Sequence, residues 1–105
     1  MPQFSVYRNK NSRTKSTFPL LLDVQTDLLE DLQTRVVIPL TKAATLTRKP
    51  MSQLTPAIEH EGSLYLLMTP LLAGIARGDL GAEAGTLAEH RKEIIGAMDF
   101  LLTGF

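Results

Sequence analysis

The sequence contains no cysteine, which excludes disulfide bonds, thiolate chemistry and cysteine-ligated metal sites. It has no net charge either, because 11 basic residues balance 11 acidic ones, so no overall field draws the chain to nucleic acid or to an anionic membrane. Its longest apolar runs span residues 20–22, 36–38 and 64–68, far short of the roughly 20 residues that a membrane span needs. The amino terminus lacks the basic head and apolar stretch of a signal peptide. We therefore expect a cytoplasmic protein without a membrane partner.

Residues able to carry chemistry are scarce. The two histidines are His60, between two glutamates of a strand pattern, and His90, three positions before Glu93 on a predicted helix. Neither accompanies a nucleophile motif of the Gly-x-Ser-x-Gly kind, and one His–Glu pair supplies too few ligands for a firm metal site. We interpret both as structural histidines. The sequence therefore predicts a binding protein rather than an enzyme, with no metal and no other cofactor.

What the chain does have is the length of one small domain, residues 1–105. It is 44% hydrophobic and 21% charged, an ordinary composition for a globular protein. A domain of this size buries somewhat over about 60% of the surface of its unfolded chain, which leaves little margin for spare core residues.

Strand signals dominate the first part of the chain. Gln3–Tyr7 and Leu20–Gln25 alternate apolar and polar residues, the pattern of a half-buried strand. Arg35–Leu40 is a dense β-branched run that predicts a central strand, ended by Pro39.

A hairpin and a bent region follow. Ala57–Glu61 and Leu64–Thr69 predict two strands joined around Glu61-Gly62-Ser63. Leu71–Gly85, rich in glycine, predicts one or two short bent strands and then a loop. The stretch Thr41–Thr55 gives no clear prediction.

A single helix is predicted at the end of the chain. Thr86 and Glu89 have the spacing of a capping box, in which each side chain bonds the backbone N–H of the other residue. An apolar stripe at helical spacing then runs to the end, formed by Leu87, Ile94, Ile95, Met98, Leu101 and Leu102. The predicted fold class is mainly β with a C-terminal α-helix: a small antiparallel barrel or sheet with the helix packed beside it.

The last residues are unusually apolar for a chain end. Chain termini are usually frayed and polar unless something ties them down. Here Leu102 and Phe105 continue the helical stripe, whereas Phe100 points away from it. A helix that is apolar on more than one side is packed on more than one side. We expect the end of the chain to be a contact surface for a partner subunit, a target, or both.

Two residues of the predicted helix break local rules. Gly96 lies in its interior at a cost of about 1 kcal/mol relative to alanine. Asp99 lies in the last turn, where a negative charge opposes the helix dipole by about 0.3–1 kcal/mol. Such violations concentrate at functional sites, although both costs are small enough to be simply tolerated.

A basic loop precedes the second strand. It carries four cations close to Tyr7, namely Arg8, Lys10, Arg13 and Lys15. They form either a solvated connection or a local site for phosphates.

Four segments together resemble the CcdB family of plasmid and chromosomal toxins. They are Gln3–Tyr7, Leu22–Leu29, Arg35–Leu40 and Leu102–Phe105, which match in order and spacing over nearly the whole chain. The resemblance implies a homodimer of small SH3-like antiparallel β-barrels, each with a C-terminal helix and with the two chain ends close to the dimer axis. It also implies a poison of DNA gyrase that binds the A subunit and stabilises the enzyme joined to cleaved DNA. A co-encoded antitoxin, through its disordered C-terminal tail, would neutralise the toxin, and DNA would be reached only through gyrase or the antitoxin complex.

The resemblance also implies which residues bind gyrase. The family ends in tryptophan-glycine-isoleucine, its gyrase-poisoning element, which maps onto Thr103, Gly104 and Phe105. Thr103 departs from the pattern, because threonine lacks the stacking on a target arginine, worth about 0.5–2 kcal/mol, that tryptophan supplies. The family's paired aliphatic residues map onto Leu28 and Leu29. From the residues alone, these leucines either bind a target or plug the end of the barrel.

The predicted dimer interface lies on the C-terminal helix. Gly96 and Ala97 are small enough to let two helices approach near the dimer axis, and Phe100 completes the set.

Two further hypotheses stay open. An endoribonuclease toxin on a related barrel fold would hold phosphates with Arg8, Arg13, Lys15 and Arg35, although no acid–base pair is evident. The second hypothesis, suggested by the departure at Thr103, is a homologue that binds antitoxin without being toxic.

Overall fold

An antiparallel sheet and one helix make up the domain. The computed structural model describes residues 2–29, 31–43 and 53–104. The elements within these residues are β1 (Ser5–Asn9), β2 (Leu20–Asp23), β3 (Thr34–Lys42), β4 (Ala57–His60), β5 (Ser63–Leu67), β6 (Ala73–Ala76), β7 (Leu80–Thr86) and α1 (Arg91–Thr103).

The strands form a single sheet that curls but stays open. Its order is β4-β5-β3-β2-β1-β7, and β6 pairs with the first half of β3. Every pairing in the described parts of the chain is antiparallel, so short connections suffice between neighbours. This half-barrel with a C-terminal helix is consistent with a small SH3-like fold, which confirms the predicted fold class. The homodimer stays a prediction.

The main core lies between one face of the sheet and α1. Helix residues Ile94 and Ala97 pack there against apolar side chains of five strands and their flanks. A smaller cluster, formed by Tyr7, Leu21, Val37, Leu80 and the half-buried Ile75, covers the opposite face. Since successive residues of a strand point to opposite faces, the adjacent pairs 6–7, 21–22 and 37–38 are buried on both sides. This explains why the central strands have dense apolar runs.

Pro39 lies inside β3, so the prediction that it ends the strand is wrong. On one side Pro39 pairs with Leu21 of β2. On the other side its carbonyl accepts the N–H of Met68, at 2.9 Å. Because N–H and C=O of one strand residue point the same way, the missing N–H faces the junction between β6 and β5. A central strand tolerates proline here because no ladder bond is lost.

The predicted hairpin is confirmed, with a tighter turn than the sequence indicated. His60 pairs with Ser63, and the two residues between them have positive φ, 50° for Glu61 and 82° for Gly62. This is the geometry of the two-residue hairpin loops that fit the twist of a sheet. The Leu71–Gly85 region forms two strands, β6 and β7, rather than ending in a loop. Of the unassigned stretch, Thr41 and Lys42 complete β3, and residues 44–52 lie outside the described part of the chain.

The predicted capping box is wrong. Thr86 is the last residue of β7, and α1 begins only at Arg91, after a single helical turn over Ala88–His90. The Thr86 hydroxyl accepts the N–H of Ala88 at 3.2 Å and donates to the carbonyl of Phe4 at 3.4 Å. Pairing with β1 therefore outcompetes the local helix start, which a sequence motif does not reveal.

The apolar stripe of α1 is confirmed only in its first half. Ile94 and Ala97 are buried and Met98 is half-buried, but Leu101 and Leu102 are exposed. The helix is apolar beyond the point where the sheet covers it. No helix in the described residues is long and apolar enough to cross a membrane.

A buried ion pair joins β2 to β3. A guanidinium nitrogen of Arg35 lies 2.8 Å from the Asp23 carboxylate, and both side chains are completely buried. Burial raises the pKa of Asp23, while hydrogen bonds from Arg35 and from the Gln25 N–H oppose that rise. The pair is neutral overall and bonded at both ends, which is the condition for burying charge without a large loss of stability.

His60 links the two ends of the open sheet. Its Nε2 donates to the carbonyl of Ala84, 2.7 Å away, and so connects β4 to β7. A Cβ at Gly85, where φ is 113°, would lie 2.7 Å from the His60 ring, so glycine makes the close approach feasible. His60 is therefore a hydrogen-bonded structural histidine, as predicted.

We predict that replacing Asp23 lowers the unfolding free energy more than replacing Arg35 does. Asp23→Asn leaves a buried guanidinium that cannot give up its proton, for a loss of about 3–5 kcal/mol in unfolding free energy. Arg35→Met leaves a carboxyl group that can neutralise itself by taking up a proton, so its loss should be smaller. Urea unfolding of both variants at neutral pH measures the difference. Equal losses, or a larger one for Arg35→Met, would contradict this prediction.

Arg35→Met should also make stability depend on pH in a defined direction. Without the cation, burial raises the pKa of Asp23 further above its ordinary 3.8. The folded state then keeps a proton that the unfolded state releases, so the unfolding free energy falls as pH rises from 3.8 to the raised folded pKa. Urea midpoints of this variant across that window, compared with those of the unsubstituted protein, test the sign. A midpoint that rises with pH relative to the control refutes it.

Candidate functional site

Two leucines project from the turn that follows β2. The turn is one short 3₁₀ turn, Asp27–Leu29, and none of its residues is buried. Leu28 is 92% exposed and Leu29 is 47% exposed, so neither plugs the end of the sheet. An aliphatic side chain left almost wholly in water loses the stabilisation that its burial would provide. Their exposure favours a binding role over the structural alternative.

The base of this turn is fixed by the buried ion pair. Asp23 accepts the N–H of Gln25 at 3.0 Å, and Arg35 donates to the Gln25 carbonyl at 3.3 Å. The Gln25 side chain in turn accepts the N–H of Val36 at 3.1 Å and donates to the carbonyl of Leu29, also at 3.1 Å. Gln25 thus connects the buried ion pair by hydrogen bonds to Leu29, the last residue of the turn.

A third leucine extends the exposed surface. Leu32 is 47% exposed, and its N–H donates to the carbonyl of Leu29 at 3.1 Å. Arg77 donates to the Leu32 carbonyl at 3.4 Å and connects this segment to the turn that follows β6. Sequence reasoning missed Leu32, because one leucine among polar residues gives no periodic signal.

The end of α1 presents a second apolar surface. Leu102 is 76% exposed and Leu101 is 38% exposed. The Thr103 hydroxyl donates to the Asp99 carbonyl at 2.7 Å, so its polar group is used within the helix and its methyl group remains for contact. Gly104 ends the helix in a left-handed conformation, φ 80°, with its N–H bonded to the carbonyl of Phe100. Phe105 lies outside the described residues, so its role stays a prediction.

The three residues predicted for the dimer interface differ in exposure. Gly96 is exposed, and a Cβ placed there would meet nothing within 4 Å. Phe100 is half-buried. Ala97 is 1% exposed and belongs to the core of its own chain, so it supports the helix from below and offers no surface of its own. Gly96 and Asp99 lie in a shallow groove along α1, of about 620 Å³, which is also lined by Glu89, Arg91, Lys92 and Ile95.

The two ends of the basic loop are joined by hydrogen bonds from an asparagine side chain. The Asn9 side chain donates to Thr14 at 3.0 Å and to the Phe18 carbonyl at 2.9 Å. Lys10 donates to the Gly78 carbonyl at 3.0 Å, so one of the four cations has a backbone partner. The loop borders a groove of about 610 Å³ on the second face of the sheet, floored by Leu21, Pro39 and Ile75.

The remaining polar candidates for chemistry are the side chains of His90, Glu93 and Arg35. His90 Nδ1 lies 3.1 Å from Glu93, an exposed pair near the helix start. Within the described ranges, no three His, Asp or Glu side chains come together as metal ligands. Arg35, assigned to phosphate binding in the ribonuclease hypothesis, is instead fully buried against Asp23.

These features define a small half-barrel domain that displays apolar side chains at a turn and at a helix end. The model of the CcdB protein family matches residues 3–104. The chain therefore belongs to the CcdB family, as the resemblance predicted. The match includes both leucines of the turn as well as Thr103 and Gly104, and stops one residue before Phe105.

We predict that Leu28 contributes nothing measurable to folding. Leu28→Ser should change the unfolding free energy by no more than about 0.5 kcal/mol, because the side chain is almost wholly solvated in the native state. Leu22→Ala is the matched control: Leu22 is buried in the main core, and its truncation should cost about 2–5 kcal/mol. Denaturant titration of the two variants measures both effects. A loss above about 1 kcal/mol for Leu28→Ser would mean that this leucine is part of the core.

Proposed function

We propose that this protein is the toxin of a type II toxin–antitoxin pair and that it binds the A subunit of DNA gyrase. Binding would trap the enzyme while it is covalently joined to cleaved DNA. The observation that carries the proposal is the exposed pair Leu28 and Leu29 on a turn anchored by buried polar groups. Membership of the CcdB family supports the same target.

The energetics favour a contact at this turn. Covering a fully exposed leucine side chain removes apolar surface from water and is worth about 1.5–3 kcal/mol. Interfaces draw most of their affinity from a few such anchors, surrounded by contacts that only exclude water. A turn that is rigid before binding loses little conformational entropy on association. An exposed leucine on a fixed turn meets both conditions.

The helix end provides the second part of the proposed surface. The missing tryptophan stacking is compensated, in this proposal, by apolar contact from Leu102 and Phe105. Thr103 adds only a methyl group, since its hydroxyl is bonded to Asp99. Gly104 ends the helix in a left-handed conformation, immediately before the last residue of the sequence. The proposed contact therefore relies on apolar packing by Leu102 and Phe105 rather than on the stacking of a tryptophan on an arginine of the target.

Two copies of the chain would act together. The proposed homodimer pairs α1 helices through Gly96 and Phe100, with Ala97 packed beneath them. The open backbone at Gly96 allows close approach of a second helix. A two-fold toxin matches a two-fold enzyme, so that each chain end engages one A subunit. A co-encoded antitoxin with a disordered tail would compete for the toxin, as in the family.

The proposed mechanism is binding that prefers one state of the target. A ligand shifts an equilibrium only by the difference in its affinity for the two states. The toxin must therefore bind the cleaved form of gyrase more tightly than the resealed form. A hundredfold preference corresponds to about 2.7 kcal/mol, which a single leucine anchor together with the helix end can supply.

We predict that deleting Thr103–Phe105 abolishes toxicity without unfolding the protein. The deleted residues follow the last buried side chain of α1, so the loss should be confined to the contact surface. The measurement is growth after induced expression in paired hosts, one with normal gyrase and one with a resistant A subunit. The full chain should arrest only the first host, and the truncated chain should arrest neither.

The matched control is Lys15→Ala, a substitution on the exposed basic loop that should keep full toxicity. Circular dichroism and size-exclusion chromatography of the truncated protein check that it stays folded. Persistent toxicity of the truncated chain would show that the helix end is not the active element. Equal arrest of both hosts by the full chain would show that gyrase is not the target, and a harmless full chain that binds antitoxin would mark a non-toxic homologue.

A further inference from the structure

Gln3 connects the leucine turn to the C-terminal helix. Its backbone N–H donates to the Asp27 carboxylate at 2.6 Å, at the first residue of the turn. Its side-chain amide donates to the carbonyl of Val24 at 3.1 Å and accepts from Arg91, the first residue of α1, at 3.4 Å. One residue therefore joins the first residue of the leucine turn to the start of α1, the helix whose far end presents Leu102.

The position of Gln3 is set by the core. The next residue, Phe4, is buried with φ at 70°, a conformation that a bulky side chain adopts only when its surroundings impose it. The Phe4 N–H donates to the carbonyl of Asp23 at 2.6 Å, and its own carbonyl accepts the N–H of Leu87 at 2.8 Å. The Arg91 guanidinium lies 5.6 Å from the centre of the Phe4 ring. The corner at residues 3–4 is thus a rigid point between β2 and α1.

The leucine turn depends on such a point for its orientation. Leu28 is almost wholly solvated, so its side chain does not hold the turn in place. The turn is held at its first residue by the bond between the Asp27 carboxylate and the Gln3 N–H. It is held at its last residue by the bond from the Gln25 side chain to the Leu29 carbonyl. Bonds at both ends restrict the turn to one direction, whereas a single bond would let it pivot.

We propose that Asp27 and Gln3 are positioning residues that hold Leu28 and Leu29 at a fixed orientation to α1. The inference rests on the proposed function of the turn as a gyrase contact. In this proposal Asp27 acts through the leucines: its Oδ1 accepts the Gln3 N–H, and its carboxylate makes no contact with the target. Loss of the bond leaves the core intact but lets the turn sample orientations that fit the target poorly, which weakens binding.

A double-mutant cycle on the full-length protein tests this role. The probe is the breakage–reunion fragment of the gyrase A subunit, with affinity measured by titration calorimetry. Leu28→Ala with Leu29→Ala should weaken binding by about tenfold or more, and Asp27→Ala alone by about fivefold. In the background lacking both leucines, Asp27→Ala should add less than about a twofold loss, because two residues that act through one contact are not additive. Asp27→Asn keeps an oxygen that can accept the Gln3 N–H and should bind as the unsubstituted protein does.

Two results would overturn the proposal. An equal loss from Asp27→Ala with and without the leucines would make Asp27 a direct contact, and a loss from Asp27→Asn as large as that from Asp27→Ala would make its charge the important property. Normal binding by the variant that carries both Leu28→Ala and Leu29→Ala would instead refute the gyrase contact proposed for the turn.

A second measurement tests the positioning role of Asp27 independently of gyrase binding. Hydrogen exchange of the Leu29 amide, which donates to the Thr26 carbonyl, reports the order of the turn in the free protein. Asp27→Ala should speed this exchange by about tenfold or more and Asp27→Asn should not. Unchanged exchange in Asp27→Ala refutes the positioning role whatever the binding data show.

Discussion

The buried ion pair between Asp23 and Arg35 is the constraint from which the proposed binding surface follows. Charged groups without solvent must find every partner within the protein, because an unmatched buried charge costs several kcal/mol. Here the required partners come from Gln25, whose N–H and carbonyl both bond the pair. The chain therefore cannot continue β2 in a straight line. It bends at Gln25, and the residues that follow are forced into a turn on the surface.

That bend explains how an apolar turn stays ordered in water. Leu28 and Leu29 make little contact with the core, and an isolated turn of this kind would be mobile. Its ends are instead held by polar bonds, to Gln25 on one side and to Gln3 on the other. Stability and function are thus divided between different residues. Polar groups, one of them the buried Gln25, fix the backbone, and the leucines remain exposed.

Much of the fold was predictable, because apolar–polar alternation, β-branched runs and turn residues indicate where strands lie, although β2 is buried on both faces rather than half-buried. The strands around Val6 and Leu22 were identified by alternation, the strand around Ile38 by its β-branched run, and the hairpin by its turn at Gly62. The errors at Pro39 and Thr86 have a common cause. At both residues, pairing between strands overrides a local rule. Pro39 lies where the sheet needs no N–H donor, and Thr86 is held at the end of its strand by a hydrogen bond to Phe4.

The site was only partly predictable, for a related reason. Leu28 and Leu29 were identified through the family resemblance, and their exposure fits that assignment. The ion pair was not foreseen, because Asp23 and Arg35 lie on different strands and look like ordinary surface charges in the sequence. Leu102 was placed on the apolar stripe, but helical periodicity does not tell at which residue the covering sheet stops. Contacts between distant segments, rather than local patterns, decide these features.

Purified gyrase incubated with this protein and negatively supercoiled DNA provides the most direct measurement. The reaction is stopped with a protein denaturant, and the amount of linear DNA attached to the A subunit is quantified. We expect linear DNA to accumulate with increasing toxin and to vanish when the A subunit is a resistant variant. Unhindered supercoiling with no linear DNA, at a toxin concentration well above that of gyrase, would contradict the proposed mechanism.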